Sequence, residues 1–260
     1  MSNLRGGHQV QLLFRGEEFF STLIDAVNAA VQEVRLETYI FHDDAIGEQV
    51  IAALVAAANR GVAVYLLVDG IGTPHMPPAW VAQLEQSGVQ WRQFAPLGRL
   101  GLLIPGRWRR LHRKLCVVDR RLVFCGGINI LDDHFQFQQG RQTTPRFDFA
   151  VQVQGPLVAD AWRAMQQVWW RMQLARQVQH AQFDELRYSL TEPGTSPPNA
   201  AAQAMHTAPA GTVRAALLLR DNVRHRKRIE RAYRRAIAQA RDEVLIANAY
   251  FLPGRKLRLA

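Results

Sequence analysis

The sequence predicts an α/β protein, a mixed sheet flanked by helices, with one complete repeat and the start of a second. Three observations predict it. Strand-length apolar runs alternate with amphipathic helical stretches between residues 10 and 94, the order that builds a parallel or mixed sheet with helices on its faces. Residues 111–130 alternate apolar and polar on both sides of Asp119, as two half-buried strands joined at a short turn do. The end of the chain also echoes its start. A shift of 210 residues aligns Ala26 with Ala236, Ala30 with Ala240, Glu33 with Glu243, Val34 with Val244 and Phe41 with Phe251. Both copies read helix, Glu-Val, then an apolar strand ending in Phe, which marks an internal repeat.

Taken in order, residues 10–14 form a short strand and 17–32 an amphipathic helix, with Phe20, Leu23, Ile24, Val27 and Val31 at helical spacing. A strand follows over 34–41, with Val34, Leu36, Thr38 and Ile40 on one side and Glu37 on the other. A strand carboxylate of this kind serves more often as a hydrogen-bonding partner than as a catalyst. Residues 46–59 form a long apolar helix, stopped by Gly61. The nearly continuous apolar run 62–68 is a strand covered on both faces. A turn-rich loop (69–74), a helix (77–87) and a strand (89–94) come next.

Beyond the strand pair, 131–145 is a polar loop containing His134, whose imidazole is expected to be solvated or structural. Residues 146–154 alternate as a strand, and a helix from 156 to about 176 carries Trp162, Met165, Val168, Trp169 and Met172 toward the core. Residues 189–211, rich in Pro, Ala, Ser, Thr and Gly, read as a linker. A strand (213–219), a basic helix (224–240) and a strand (243–249) complete the chain. The domain reading is therefore 1–188, a first repeat; 189–211, a linker; and 212–260, the beginning of a second repeat.

Composition bounds the function. At 260 residues and 48% hydrophobic, the chain is long enough for a sizeable core and is not of disordered type. No run approaches the roughly 20 apolar residues of a membrane-spanning helix, and the N-terminal residues show no signal-peptide core. The expectation is a protein kept in the cytosol, free or on a membrane surface. The two cysteines, Cys116 and Cys125, read as small core residues, without a disulfide framework or zinc spacing. The net charge of +10 favours a phosphate-rich partner, anionic lipid or nucleic acid, without choosing between them. Lysine occurs only at 114, 227 and 256, so the arginine bias can equally reflect the coding genome.

The chemistry gathers in residues 111–130. His112, one residue, Lys114, four residues, Asp119, six residues, Gly126-Gly127, one residue and Asn129 form a fixed pattern. On an extended strand His112 and Lys114 point the same way. An imidazole beside an ammonium suits attack on a phosphodiester: the imidazole as nucleophile, the fixed charge as a holder of non-bridging oxygens while negative charge builds. Gly126 and Gly127 remove side chains so that backbone can approach a phosphate. Asn129 adds an amide donor.

The stretch just before this pattern, 96–110, joins an apolar tip (Leu100, Leu102, Leu103, Ile104) to a basic end (Arg107, Trp108, Arg109, Arg110). It reads either as an ordinary loop folded back on the core or as an interfacial loop. In the second reading Leu102 and Leu103 enter the acyl boundary, Trp108 sits at headgroup level, and the arginines meet anionic phosphates.

The pattern resembles the HxKx4Dx6GGxN signature of the phospholipase D superfamily. Together with residues 36–41, 56–62, Asp69-Gly70 and 246–251, it resembles bacterial cardiolipin synthases of that superfamily, in their shorter form without N-terminal membrane helices. The resemblance implies two α/β repeats about a pseudo-twofold axis, each giving one His-Lys-Asp set, and a reaction without metal or cofactor. One histidine forms a phosphohistidine; the other protonates the leaving alcohol and then deprotonates the incoming one. Carried over, His112, Lys114 and Asp119 are the catalytic set, Asp119 holding a strand partner or the site's charge balance. Lys114, Asn129, Gly126 and Gly127 bind phosphate. The donor implied is phosphatidylglycerol, on the cytoplasmic side of the bacterial inner membrane, and no nucleic acid is expected. This chain reaches its last residue soon after the second repeat begins, so the reading is of half a catalytic site, through truncation or to be completed by self-association. A phosphodiesterase acting on nucleic acid and an inactive membrane-binding fragment are the alternatives.

Overall fold

The computed structural model describes residues 4–96, 110–137, 140–179, 208–219 and 227–246. The chain divides into two units, one of Arg5–Ala215 and one of Met1–Leu4 with Ala216–Ala260. The first unit is built on an eight-stranded sheet in the order β10-β1-β9-β6-β5-β2-β3-β4. Its strands are β1 (Arg5–Phe14), β2 (Glu33–Thr38), β3 (Ala63–Asp69), β4 (Gln90–Phe94), β5 (Leu115–Val118), β6 (Leu122–Gly126), β9 (Phe149–Gln154) and β10 (Val213–Ala215). β2, β3 and β4 run parallel, while β2–β5, β5–β6, β6–β9, β9–β1 and β1–β10 pair antiparallel, so the sheet is mixed, as expected.

The helices form because their ends are satisfied and one face is apolar. In α2 (Ala45–Asn59) the Asp44 carboxylate accepts the N–H groups of Ile46 (3.0 Å) and Gly47 (2.9 Å), capping the first turn. Pro78 opens α3 (Pro78–Gln86), where a missing N–H is no loss. α1 (Arg15–Asn28) stops short of the expected residue 32. Asp119 accepts the N–H groups of Val31, Gln32 and Glu33 at 3.0, 2.7 and 2.9 Å, so these donors leave the helix for a distant carboxylate, and Val31 is left 74% exposed.

Alternation across the sheet sorts two faces. Val34 and Leu36 of β2 and Leu66 and Val68 of β3 pack with Phe19, Leu23 and Val27 of α1, Ile51 and Leu54 of α2, and Leu84 of α3 in one core. The other face of β2 carries Glu33, Arg35 and Glu37, all buried, under α4 (Leu157–Gln179). There Trp162 Nε1 donates to Glu33 Oε2 (2.9 Å), Arg120 pairs with the same oxygen (3.0 Å), and Arg35 pairs with Glu33 and stacks on Tyr65 (3.8 Å). Buried charge is tolerated when paired and hydrogen-bonded, a condition that Glu33 and Arg35 meet here.

Three expectations need correction. The strand expected around His112 starts only at Leu115, so His112 and Lys114 precede β5 as an extended lead-in. The polar loop contains a short hairpin, β7 (Phe135–Gln136) and β8 (Gly140–Arg141). In the second unit, α5 (Arg228–Gln239) forms, but residues 243–246 carry no strand; Val244, Leu245 and Ile246 are exposed and, among the described residues, lack the ladder partner that defines one. Val213–Ala215, by contrast, pairs with β1 and belongs to the first unit's sheet. Of the expected linker only 208–211 lies within the described residues. Among those residues no helix is long and apolar enough to cross a membrane.

Candidate active site

The lead-in 111–114 is held by its odd residues and offers its even ones. Leu111 is buried against Leu67 and Trp169, and its N–H donates to Asp69 Oδ2 at 2.7 Å. Asp69 is wholly buried and its Oδ1 also accepts the N–H groups of Ile71 (2.8 Å) and Gly72 (3.2 Å). Arg113 points to the α4 face, where its Nη2 lies 2.8 Å from Glu37 Oε2. Between these anchors His112 is exposed, and Lys114 follows half-buried.

Lys114 Nζ lies 3.4 Å from Nδ1 and 3.3 Å from Nε2 of His112. Tyr39, just past β2, sets its ring 4.8 Å from the imidazole, tilted 50° to it, and 5.5 Å from Lys114 Nζ. Burial, and then the Lys114 charge, pull the His112 pKa below the usual imidazole value, with Asp69 opposing. Burial brings Lys114 down to about 8, with Asp148 opposing. The pair is therefore a neutral, nucleophilic imidazole beside an ammonium that is still mainly charged at neutral pH.

Asn129 follows the Gly126-Gly127 pair. Its Oδ1 accepts the Ile40 N–H at 3.1 Å, which leaves its amide hydrogens as the donors it can offer a substrate. The two glycines do something other than expected. Gly127 N–H donates to Phe149 O (3.0 Å), and Gly126 N–H reaches Lys114 O (3.4 Å), so both amides are engaged inside the sheet rather than held open for phosphate. A Cβ at Gly126 would sit 2.5 Å from Ala150 Cα, and one at Gly127 would run into the Asp148 carboxylate. The glycines make room for β9 and for Asp148.

The Asp119 carboxylate holds the start of β2, one of the two roles expected of it. It lies at the far end of β5 from His112, roughly 20 Å along an extended chain. Its φ of 49° turns the hairpin, and its carboxylate closes the start of β2 through the three N–H bonds given above. Of the proposed membrane contacts, Leu102, Leu103, Arg107, Trp108 and Arg109 lie outside the described residues. Arg110 Nη1 donates to Ala95 O (3.3 Å) and sits 3.7 Å from Asp69, beside the support of the lead-in.

Asp148, Tyr39 and Asp69 were not assigned to the site from sequence. Asp148 stood on the polar side of an alternating strand and Asp69 beside a glycine in a turn; neither signal says which lysine or histidine it faces. His134 is structural as expected, its Nδ1 3.1 Å from Gln142 O. His8 is buried, accepting the Leu157 N–H at 3.0 Å.

The chain is 38% identical to cardiolipin synthase B of Salmonella typhi over 262 residues, covering 97% of this chain and 56% of that protein. It is 36% identical to cardiolipin synthase B of Escherichia coli K12 (96% and 55%) and 36% identical to cardiolipin synthase A of Pseudomonas syringae pv. syringae (58% and 31%). It thus spans about half the length of the curated relatives it matches. Nuc from Salmonella typhimurium, a phospholipase D family member of solved structure, aligns at 22% identity and a TM-score of 0.45 over 62% of this chain and 94% of that one. The family model described as cardiolipin synthase, PLD-like domain, matches residues 23–169, which contain His112, Lys114 and Asn129, and the chain belongs to that family.

Proposed function

We propose that this chain supplies half the active site of a phosphatidyltransferase that makes cardiolipin, and that His112 is its nucleophile. The observation that carries the reading is the depressed, neutral imidazole of His112 set against the Lys114 ammonium. An imidazole nitrogen attacks the phosphorus of phosphatidylglycerol. The P–N bond forms, the P–O bond to the headgroup glycerol breaks, and the departing alkoxide takes a proton from an acid on the opposite side. A hydroxyl of a second phosphatidylglycerol then returns a proton to that group and attacks phosphorus, freeing His112. Lys114 and the Asn129 amide hold the non-bridging oxygens throughout.

The opposing acid comes from a second half-site, in the second repeat or in another copy of the chain. In this sequence the only other His-x-Lys, His225 with Lys227, has Ala232 where the signature has Asp. The substrates are drawn from the cytoplasmic face of the inner membrane, to which the protein binds peripherally. A nucleic-acid phosphodiesterase is the second reading, favoured by the +10 charge.

The test is incubation of size-fractionated protein with phosphatidylglycerol vesicles and, separately, with DNA, followed by lipid mass spectrometry and gel analysis. Cardiolipin confined to self-associated fractions, with DNA intact, is the expected result. Cardiolipin from a verified monomer would contradict the half-site, and DNA cleavage without lipid product would favour the second reading.

A further inference from the structure

We propose that Glu37 is a positioning residue, acting through Arg113 to hold His112 and Lys114 face to face. The ladder of β5 begins at Leu115, preceded only by the 3.4 Å contact of Gly126 N–H with Lys114 O, so sheet hydrogen bonding does not by itself fix the two reacting side chains. The lead-in alternates instead. Leu111 is tied to Asp69, His112 is presented, Arg113 is tied to Glu37, and Lys114 is presented. An extended backbone puts neighbours on opposite sides. Fixing Arg113 on the α4 face therefore fixes the direction of both flanking side chains.

Glu37 is built for this role rather than for stability. It is 3% exposed, and neither Glu37 Oε2 nor Arg113 Nη2 has a hydrogen-bond partner; the two meet as an ion pair at 2.8 Å. A buried ion pair contributes little net stability, and an apolar pair of similar volume serves a fold as well or better. What the ion pair adds is a fixed target. Glu37 is itself held in line by β2, two residues beyond Arg35 and four beyond Glu33, which Arg120 and Trp162 clasp. The charged layer under α4 thus ends at the reacting segment. Burial pushes the Glu37 carboxyl up, while Arg113 and Arg35 hold it down.

The role rests on the reading of His112 and Lys114 as the reacting pair, and its test has one readout that needs no turnover. The 260-residue chain and its Glu37→Gln/Arg113→Gln variant, equal in net charge, are compared by NMR titration of the His112 ring, assigned from a His112→Gln spectrum. The burst of p-nitrophenolate from a p-nitrophenyl phosphodiester is measured in parallel. In the folded variant the His112 titration is expected to rise toward the ordinary imidazole value as the ring leaves Lys114, and the burst rate to fall roughly 10- to 100-fold at unchanged KM. Glu37→Asp, which keeps the carboxylate, is expected to lie between variant and parent. It also carries the test if the double variant fails to fold. An unmoved titration and burst in a folded variant overturn the proposal. A moved titration in a parent that shows no burst leaves the positioning intact and counts against the proposed chemistry instead.

Discussion

Lys114 Nζ is almost equidistant from the two ring nitrogens of His112, at 3.4 and 3.3 Å. Burial, and then the Lys114 charge, keep the imidazole neutral, while burial, opposed by Asp148, makes the ammonium release its proton more easily than a surface lysine does.

The pH profile follows with its sign. Turnover needs His112 neutral, so activity rises with pH through a value below the ordinary imidazole pKa. It needs Lys114 charged, so activity falls as pH passes about 8. A bell with its alkaline limb near there is expected in kcat/KM, and Lys114→Arg should push that limb to higher pH while lowering the maximum. A flat profile up to pH 10 contradicts the assignment.

Lys114→Ala should lose about 10²- to 10³-fold in kcat yet keep a trace of activity, because the ammonium stabilises charge without forming the covalent bond. For the same reason chelators should leave the reaction unchanged: the ammonium occupies the place of a divalent ion beside the phosphate. Inhibition by EDTA reversed by one specific divalent ion would overturn this.

Asp119→Ala should act on stability. Three backbone donors at the start of β2 lose their acceptor. The Val31 and Gln32 bonds are exposed, where water replaces the carboxylate, and only the Glu33 donor is part-buried, so stranding it costs about 1–3 kcal/mol, to be read from urea unfolding, while the folded fraction keeps its His112 titration. A full-stability variant with a shifted His112 would return Asp119 to the reacting site.

The sequence displayed His112 and Lys114 because their relation is local: two residues apart in extended chain they must share a side, whether or not the strand has begun. β2, β3 and α2 were legible for the same reason, since period and caps lie within each segment. Asp119, Gly126 and Gly127 were assigned by spacing, and spacing does not carry direction. The Asp119 carboxylate turns toward the loop after α1, and what forbids a side chain at Gly126 is Ala150 on β9. Asp148 and Tyr39 come to the site through the fold, from just before β9 and just after β2. Of the expected strand at 243–249, the described residues 243–246 are strand-like in sequence, but a strand also needs a neighbour, which no local pattern reports.

In the proposed reaction His112 attacks phosphorus. A p-nitrophenyl phosphodiester isolates that step, because its phenolate departs without needing a proton from a second half-site. Mixing it with the 260-residue chain, quenching in base to preserve P–N bonds and mapping peptides by mass spectrometry reads the covalent product directly. The account predicts a burst of p-nitrophenolate of up to one equivalent, a phosphoryl adduct on His112, and neither in His112→Ala. An adduct on any other residue, or an undiminished burst in His112→Ala, would contradict it.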